Sequence, residues 1–248
     1  MTNFKKLDDI EPGGQVSELP KAQLRELQRA LSFLSFDVGT IDGLFGPRTR
    51  NSWAEFVDSL GQGATGTVTA GALDQLKERC ADLNKILEAG AANPSQVRDA
   101  IAKVCEELGI GRRQQIAYVL ATAEWETNHT FEPVKEAYWL NEAWRKKHLA
   151  YYPYYGRGYV QLTWKRNYER YGDILGLDLV NNPDTALDAA VSLFVIGHGF
   201  KTGTFTGRKI TEFINDAATD YKNARRCING LDKWDEIEKL AEQYEENI

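Results

Sequence analysis

The feature that most restricts the fold of this chain is a helical spacing of apolar residues, interrupted by clusters of Gly, Pro and Asp. Leu24, Leu27, Leu31 and Leu34 recur three and four residues apart, the period that gathers side chains on one face of an α-helix. Ile116, Val119, Leu120 and Ala123 repeat the pattern further along. Regular two-residue alternation, the mark of a half-buried strand, is confined to a short hairpin expected around Tyr159 to Thr163. The expected class is therefore mainly α. At 248 residues the chain exceeds the usual size of one domain, which predicts two.

Residues 1–19 are polar, include Pro12-Gly13-Gly14, and are expected to form a flexible leader. A helix is predicted from Lys21. The stretch from Asp37 to Pro47 holds five glycines or aspartates, Asp37, Gly39, Asp42, Gly43 and Gly46, the last beside Pro47. Gly accepts positive φ and Asp bonds its neighbouring backbone, so this is a compact turn. Pro47 suits the first turn of a second helix, with Trp53, Phe56 and Leu60 facing inward. A glycine-rich loop, Gly61 to Gly66, leads to a third short helix near Thr69 to Arg79. Residues 20–79 thus read as one small module of three helices. Residues 80–94 read as a linker: a connecting helix from Ala81, then a break at Ala92-Asn93-Pro94. Ser95 is expected to cap the next helix. In the larger domain, 95–248, helices are predicted at Gln96–Leu108 and Arg112–Thr127, with further helical stretches at Thr185–Ile196 and Thr211–Ile214. An aromatic-rich loop spans Tyr151–Tyr159, and a charged helix follows Leu231.

A net charge of −6 disfavours a partner rich in phosphates, so no nucleic acid is expected. The basic run Arg145-Lys146-Lys147 reads as a solvated helix face. Cys80, Cys105 and Cys227 are widely spaced and odd in number, which predicts small buried thiols and not a disulfide framework. The start of the chain lacks the apolar core of a signal peptide, and no run approaches the roughly 20 apolar residues of a membrane span. Cytoplasmic synthesis and no stable membrane insertion are the expectations. The three histidines, His129, His148 and His198, lack metal-ligand spacing, so neither metal nor cofactor is expected. Their spacing to the cysteines offers no cysteine-peptidase pair either.

Acidic residues crowd one region. Glu124, Glu126, Glu132 and Glu136 lie within sixteen positions, on and just after a predicted helix. Paired carboxyls beside aromatic and amide-bearing loops suit glycosidic-bond cleavage, in which one donates a proton and the other serves as base or nucleophile. Periodicity alone does not choose among the four glutamates.

Two resemblances extend this reading. The stretch Asp42-Gly43-Leu44-Phe45-Gly46-Pro47-Arg48-Thr49, within residues 20–79, resembles the signature of the bacterial three-helix peptidoglycan-binding domain. Its glycines shape the loop, and Phe45 is expected to pin that loop to the core. Residues from about 112 to 230 resemble the catalytic domain of glycoside hydrolase family 19, in its chitinase and phage-type lysozyme forms, a two-lobed α-helical fold. The carrying motifs are Trp125-Glu126-Thr127, the pattern F-x-P-V-x-E-A-Y-W that ends at Trp139, and Tyr154-Tyr155-Gly156-Arg157-Gly158 running on through Gln161, Leu162, Thr163, Asn167 and Tyr168.

The second resemblance implies Glu126 as general acid, expected among apolar neighbours, and Glu136 as general base, with Glu132 its competitor and Glu124 a solvent-exposed carboxylate. It implies substrate contacts from Gln161, Asn167 and Tyr155, a water held by Thr163, and a cleft-lining Asn229 in Ile228-Asn229-Gly230. An arginine that follows this asparagine in the chitinases is missing, leaving a lysine such as Lys233 to replace it. The implied mechanism is inverting, with carboxyls roughly 6.5 to 9.5 Å apart. Together the resemblances imply an endolysin-like muramidase, a monomer that binds peptidoglycan, cuts its N-acetylmuramic to N-acetylglucosamine linkage and reaches the wall through a holin-type partner. A chitinase and a catalytically inactive wall-binding component are the alternatives.

Overall fold

The structure, a computed structural model, describes residues 2–90 and 94–248, without the side chains of Pro94 and Ser95. It is mainly helical, with one two-stranded antiparallel sheet among the described residues. The chain separates into two compact units, one running to Lys85 and including Asp173–Leu177, the other comprising Ile86–Gly172 and Asp178–Ile248.

The first unit is built on α1 (Lys21–Phe33), α2 (Pro47–Ser59) and the first part of α3 (Ala70–Gly90). Leu24, Leu27, Leu31 and Leu34 are all buried, as their spacing predicts. Pro47 opens α2, and Trp53, Phe56 and Val57 form its inner face, with Leu60 only half-buried. The expected leader is instead part of this unit. Leu7, Ile10 and Val16 are buried, short 3-10 turns form at Lys5–Leu7 and Val16–Glu18, and Gln15 pairs with Thr67 in an isolated bridge. Three apolar side chains in an otherwise polar stretch suffice to anchor it.

The loop before α2 also differs from expectation. Phe45 is 39% exposed and Leu44 60% exposed, so Phe45 does not pin the loop. The buried Gln28 does. Its side-chain amide donates to the Leu44 carbonyl (3.0 Å) and Thr49 Oγ1 (3.0 Å), and its oxygen accepts from the backbone N–H groups of Asp42 (3.1 Å) and Gly43 (2.8 Å). Gly43 itself has φ +72°, and a Cβ there would sit 2.4 Å from the Lys21 carbonyl oxygen. Only glycine fits that turn.

The third short helix and the connecting helix form one uninterrupted element, since α3 runs from Ala70 to Gly90. Nothing at Cys80-Ala81 breaks helical continuity. The predicted break at Ala92-Asn93 lies outside the described residues. Ser95, expected to precede this helix, falls inside α4 (Pro94–Glu107).

The second unit is organised around α5 (Arg113–Glu126), with α4, α8 (Ala189–Thr202) and α10 (Trp234–Asn247) packed against it. Every residue of α5 from Gln115 to Ala123 is buried. A helix surrounded on all sides needs apolar residues all round, and Ile-Ala-Tyr-Val-Leu-Ala supplies them. Helix α8, from Ala190 to Phe200, is buried in the same way, and Gly197 lets it approach α4: a Cβ there would lie 2.5 Å from Val104 Cγ1. The predicted stretch at Thr185–Ile196 divides into a 3-10 turn (Pro183–Leu187) and α8, and Thr211–Ile214 contains a 3-10 turn at Ile210–Glu212. Helices α6 (Glu142–His148), α7 (Lys165–Leu175) and α9 (Tyr221–Ala224) complete the set.

The sheet differs from the expected hairpin. Strand β1 (Val134–Lys135) pairs with β2 (Arg157–Gly158), matching Val134 with Gly158 and Lys135 with Arg157. The hairpin region contributes an isolated bridge between Arg157 and Leu162. All three cysteines are buried free thiols. Among the described residues no helix is long and apolar enough to cross a membrane.

Candidate active site

Helix α5 carries Glu124, Trp125 and Glu126 on its last turn and is capped by Thr127. The chain then turns through Asn128, His129 and Phe131, all at positive φ. Two residues before Glu136 it enters β1, whose pairing with β2 sets Glu136 opposite Gly156. The Glu136 N–H donates to the Gly156 carbonyl (2.8 Å), and the Gly156 N–H returns a bond to Glu136 Oε2 (2.9 Å). The Tyr151 hydroxyl donates to Glu136 Oε1 at 2.7 Å. Both carboxylate oxygens therefore accept hydrogen bonds. Burial, reinforced by the bond to Glu136, raises the Tyr151 hydroxyl to about 12, so it remains a donor across the physiological range.

Glu126 and Glu136 line one open cavity of about 310 Å³, together with Trp125, Thr127, Asn128, Val134, Lys135, Ala137, Tyr138, Trp139 and Gln161. Tyr138 and Trp139 stand in a T-shaped pair with centroids 5.2 Å apart, and Trp139 is 71% exposed. Large aromatic surface left in water beside two carboxyls suits the apolar faces of sugar rings. Among the eight non-glycine residues at positive φ in the described chain, Asn128, His129, Phe131, Ala137, Gln161 and Trp164 lie in or beside this region. Such backbone costs about 1 kcal/mol or more per residue and concentrates at functional sites.

The surroundings of Glu126 differ from the expected apolar pocket. Arg225 donates from Nη1 to Glu126 Oε1 at 2.9 Å, and the pair is largely enclosed, with side chains 4% and 18% exposed. Arg225 is steadied by a bond from Nε to the Asp232 carbonyl (3.0 Å). Arg225 lies four residues before Asn229, and no arginine follows that asparagine. Lys233, the anticipated replacement, pairs with Glu236. No sequence pattern singled out Arg225; its partner is 99 positions away.

Glu124 is not a solvent-exposed carboxylate. His129 Nδ1 meets its Oε1 at 2.7 Å, and the Tyr244 hydroxyl of α10 bonds its Oε2. Glu132 is exposed and absent from the cavity wall, so geometry favours Glu136 for the second carboxyl.

Among the other expected contacts, Gln161 reaches the cavity, its amide donating to the carbonyls of Val134 (3.2 Å) and Gly158 (3.3 Å). Thr163, Asn167, Tyr155 and Asn229 do not line that cavity. Thr163 Oγ1 donates to the Gln161 carbonyl (2.7 Å), and Asn167 Nδ2 to the Thr163 carbonyl (2.8 Å). Tyr155 is buried beneath Arg157, whose guanidinium carbon stands 3.7 Å from its ring centroid. Asn229 is exposed, its side-chain oxygen accepting from Gly230 N (2.9 Å).

The Tyr154–Tyr168 motif therefore acts largely as scaffold. Arg157 is buried and bonds the Pro153 and Tyr155 carbonyls, the Tyr168 hydroxyl (2.9 Å) and Asp184 (2.8 Å). Asp184 also accepts from Lys135 (2.7 Å). Burial pulls the Asp184 carboxyl upward, but bonds from these two cations hold it below its ordinary 3.8. Among the described residues no group of three or more His, Cys, Asp or Glu is placed to hold a metal ion.

Comparison with known proteins locates this arrangement. Residues 113–202 match the family model Glyco_hydro_19, chitinase class I. Chitinase 11 of Oryza sativa subsp. japonica is 62% identical over 42 residues, covering 17% of this chain and 16% of its own length. Acidic endochitinase Q of Nicotiana tabacum is 58% identical over 40 residues, 16% of each chain. Inactive chitinase-like protein 1 of Hevea brasiliensis matches at 58% over 40 residues, 16% of this chain and 13% of its own. The chain thus aligns with about a sixth of the length of these relatives. Among solved structures, chitinase C from Streptomyces griseus HUT6037 gives a TM-score of 0.44 at 21% identity, covering 67% of this chain and 74% of that one. The segment that matches the chitinase class I model, residues 113–202, holds Glu126, Glu136 and Gln161.

Proposed function

We propose that the chain is an inverting glycosidase cutting β-1,4 linkages in polymers of N-acetylated aminosugars, with bacterial peptidoglycan as its substrate. The observation that carries this reading is the placement of Glu126 and Glu136 in the lining of one cavity beside exposed Tyr138 and Trp139. Arg225 occupies Glu126 Oε1, leaving Oε2 to bring a proton to the glycosidic oxygen. Glu136, held by Tyr151 and Gly156, takes a proton from the water that attacks the anomeric carbon from the opposite face. Gln161 offers an amide to acetamido or hydroxyl groups.

Peptidoglycan is preferred over chitin because of the first unit. Its Asp42–Thr49 loop resembles a wall-binding signature, and a tethered binding module raises the local concentration of polymer at the cavity. Chitin is the second reading, favoured by the chitinases that the segment matches. One experiment separates them: purified sacculi and chitin oligosaccharides are digested in parallel, with products followed by mass spectrometry and by NMR of the new anomeric centre. The proposal expects muramic reducing ends released from sacculi with inverted configuration. Glu126→Gln is expected to lower the rate at least about a thousandfold while leaving binding to sacculi intact. Cleavage of chitin alone transfers the assignment to a chitinase. Lytic activity in Glu126→Gln overturns the assignment of the acid.

A further inference from the structure

The basic run Arg145-Lys146-Lys147 does not behave uniformly as a solvated helix face. Arg145 is 5% exposed, and its guanidinium turns back along the chain. Nε donates to the carbonyl of Glu136 at 2.9 Å, and Nη2 to the carbonyl of Ala137 at 2.8 Å. Nη1 reaches Glu142, a half-exposed carboxylate, at 3.1 Å. The guanidinium carbon lies 5.3 Å from the Tyr155 ring centroid.

We propose that Arg145 is a positioning residue for the reaction: it clasps the loop 136–145 at its base and thereby sets both the carboxyl of Glu136 and the aromatic wall formed by Tyr138 and Trp139. This rests on the glycosidase reading above. Three observations lead to it. Ala137 holds φ +48°, a conformation unfavourable for a residue with a Cβ, and the Arg145 bond to its carbonyl helps keep it there. The next two side chains, Tyr138 and Trp139, line the same cavity as Glu136. Finally, a guanidinium removed from water needs all its bonds satisfied, and here two go to the main chain of the candidate base and its neighbour. Arg presents a planar fork that can hold both carbonyls at once; the single ammonium of Lys offers a point charge.

The test uses the full chain with Arg145→Met, Arg145→Lys and Glu142→Gln, each checked for folding by thermal melting. The clasp predicts that Arg145→Met lowers kcat about 100-fold, that Arg145→Lys recovers part of that loss, and that Glu142→Gln stays within about twofold of wild type. Amide exchange gives a readout independent of turnover. The Gly156 N–H that bonds Glu136 is expected to lose protection at least about tenfold in Arg145→Met, with α5 unchanged. Should Arg145→Met fail to fold, Arg145→Lys decides, an intermediate kcat supporting the clasp. A folded Arg145→Met, or an Arg145→Lys, with wild-type kcat and Gly156 protection overturns it. If wild type cleaves no glycan, the glycosidase reading falls separately, and Gly156 protection alone judges whether Arg145 holds Glu136.

Discussion

Glu126 and Glu136 line one cavity, yet their partners differ in kind. One is met by a guanidinium, the other by a hydroxyl and a backbone N–H. The Tyr151 contribution can be isolated. Tyr151→Phe removes one hydrogen bond to Glu136 without altering the ring, and is expected to lower kcat about tenfold with little change in KM, measured on soluble oligosaccharide. Trp139 acts on the other parameter. Its ring is largely exposed and meets Tyr138 edge-on, so Trp139→Ala is expected to raise KM about tenfold while kcat changes less, which steady-state kinetics separates. If both parameters move equally in the two variants, the division between acid-base work and sugar stacking is wrong.

At the scale of elements, short-range pairing does much of the positioning. The β1–β2 ladder has two residue pairs, but it places Glu136 against Gly156, and the motif around Arg157 makes that edge rigid. In the first unit Gln28 plays an equivalent part for the Asp42–Thr49 loop. Gln28→Ala would strand the buried Gly43 N–H, and is expected to destabilise the protein by about 2 kcal/mol, seen as a lower thermal midpoint. An unchanged midpoint would mean that the loop holds itself. Helix existence was legible in the chain because burial follows the 3.6-residue period, and Pro47 marked the start of α2. The continuity of α3 and the anchored leader were not. Both depend on what the flanking segments pack against, which local composition does not encode.

For the whole molecule, acid should act through carboxylates with lowered pKa. Backbone N–H bonds hold Asp178, Asp220 and Glu212 below their ordinary values of 3.8, 3.8 and 4.5. Asp184 is lowered by two cations against its burial, and Glu236, beside Asp235 and bonded by the Lys233 ammonium, is brought to about 2. A carboxylate whose folded pKa lies below its unfolded one stabilises the fold fully above the unfolded value, and that contribution is lost as pH falls through the folded value. The thermal midpoint is therefore expected to decline from about pH 4.5 to about pH 2. Calorimetry across that window checks it, and Asp184→Asn should flatten the decline. By itself, the sequence determined the helical class, the α5 glutamates and the scaffold motif, because those depend on period and on residue identity within a short stretch. Only tertiary structure decided that Arg225 meets Glu126 across 99 residues, that Tyr151 and Arg145 bond Glu136, and that Tyr155 packs beneath Arg157. Those partners are distant in the chain, and no local pattern records which side chains the closing of a core will bring within hydrogen-bond reach.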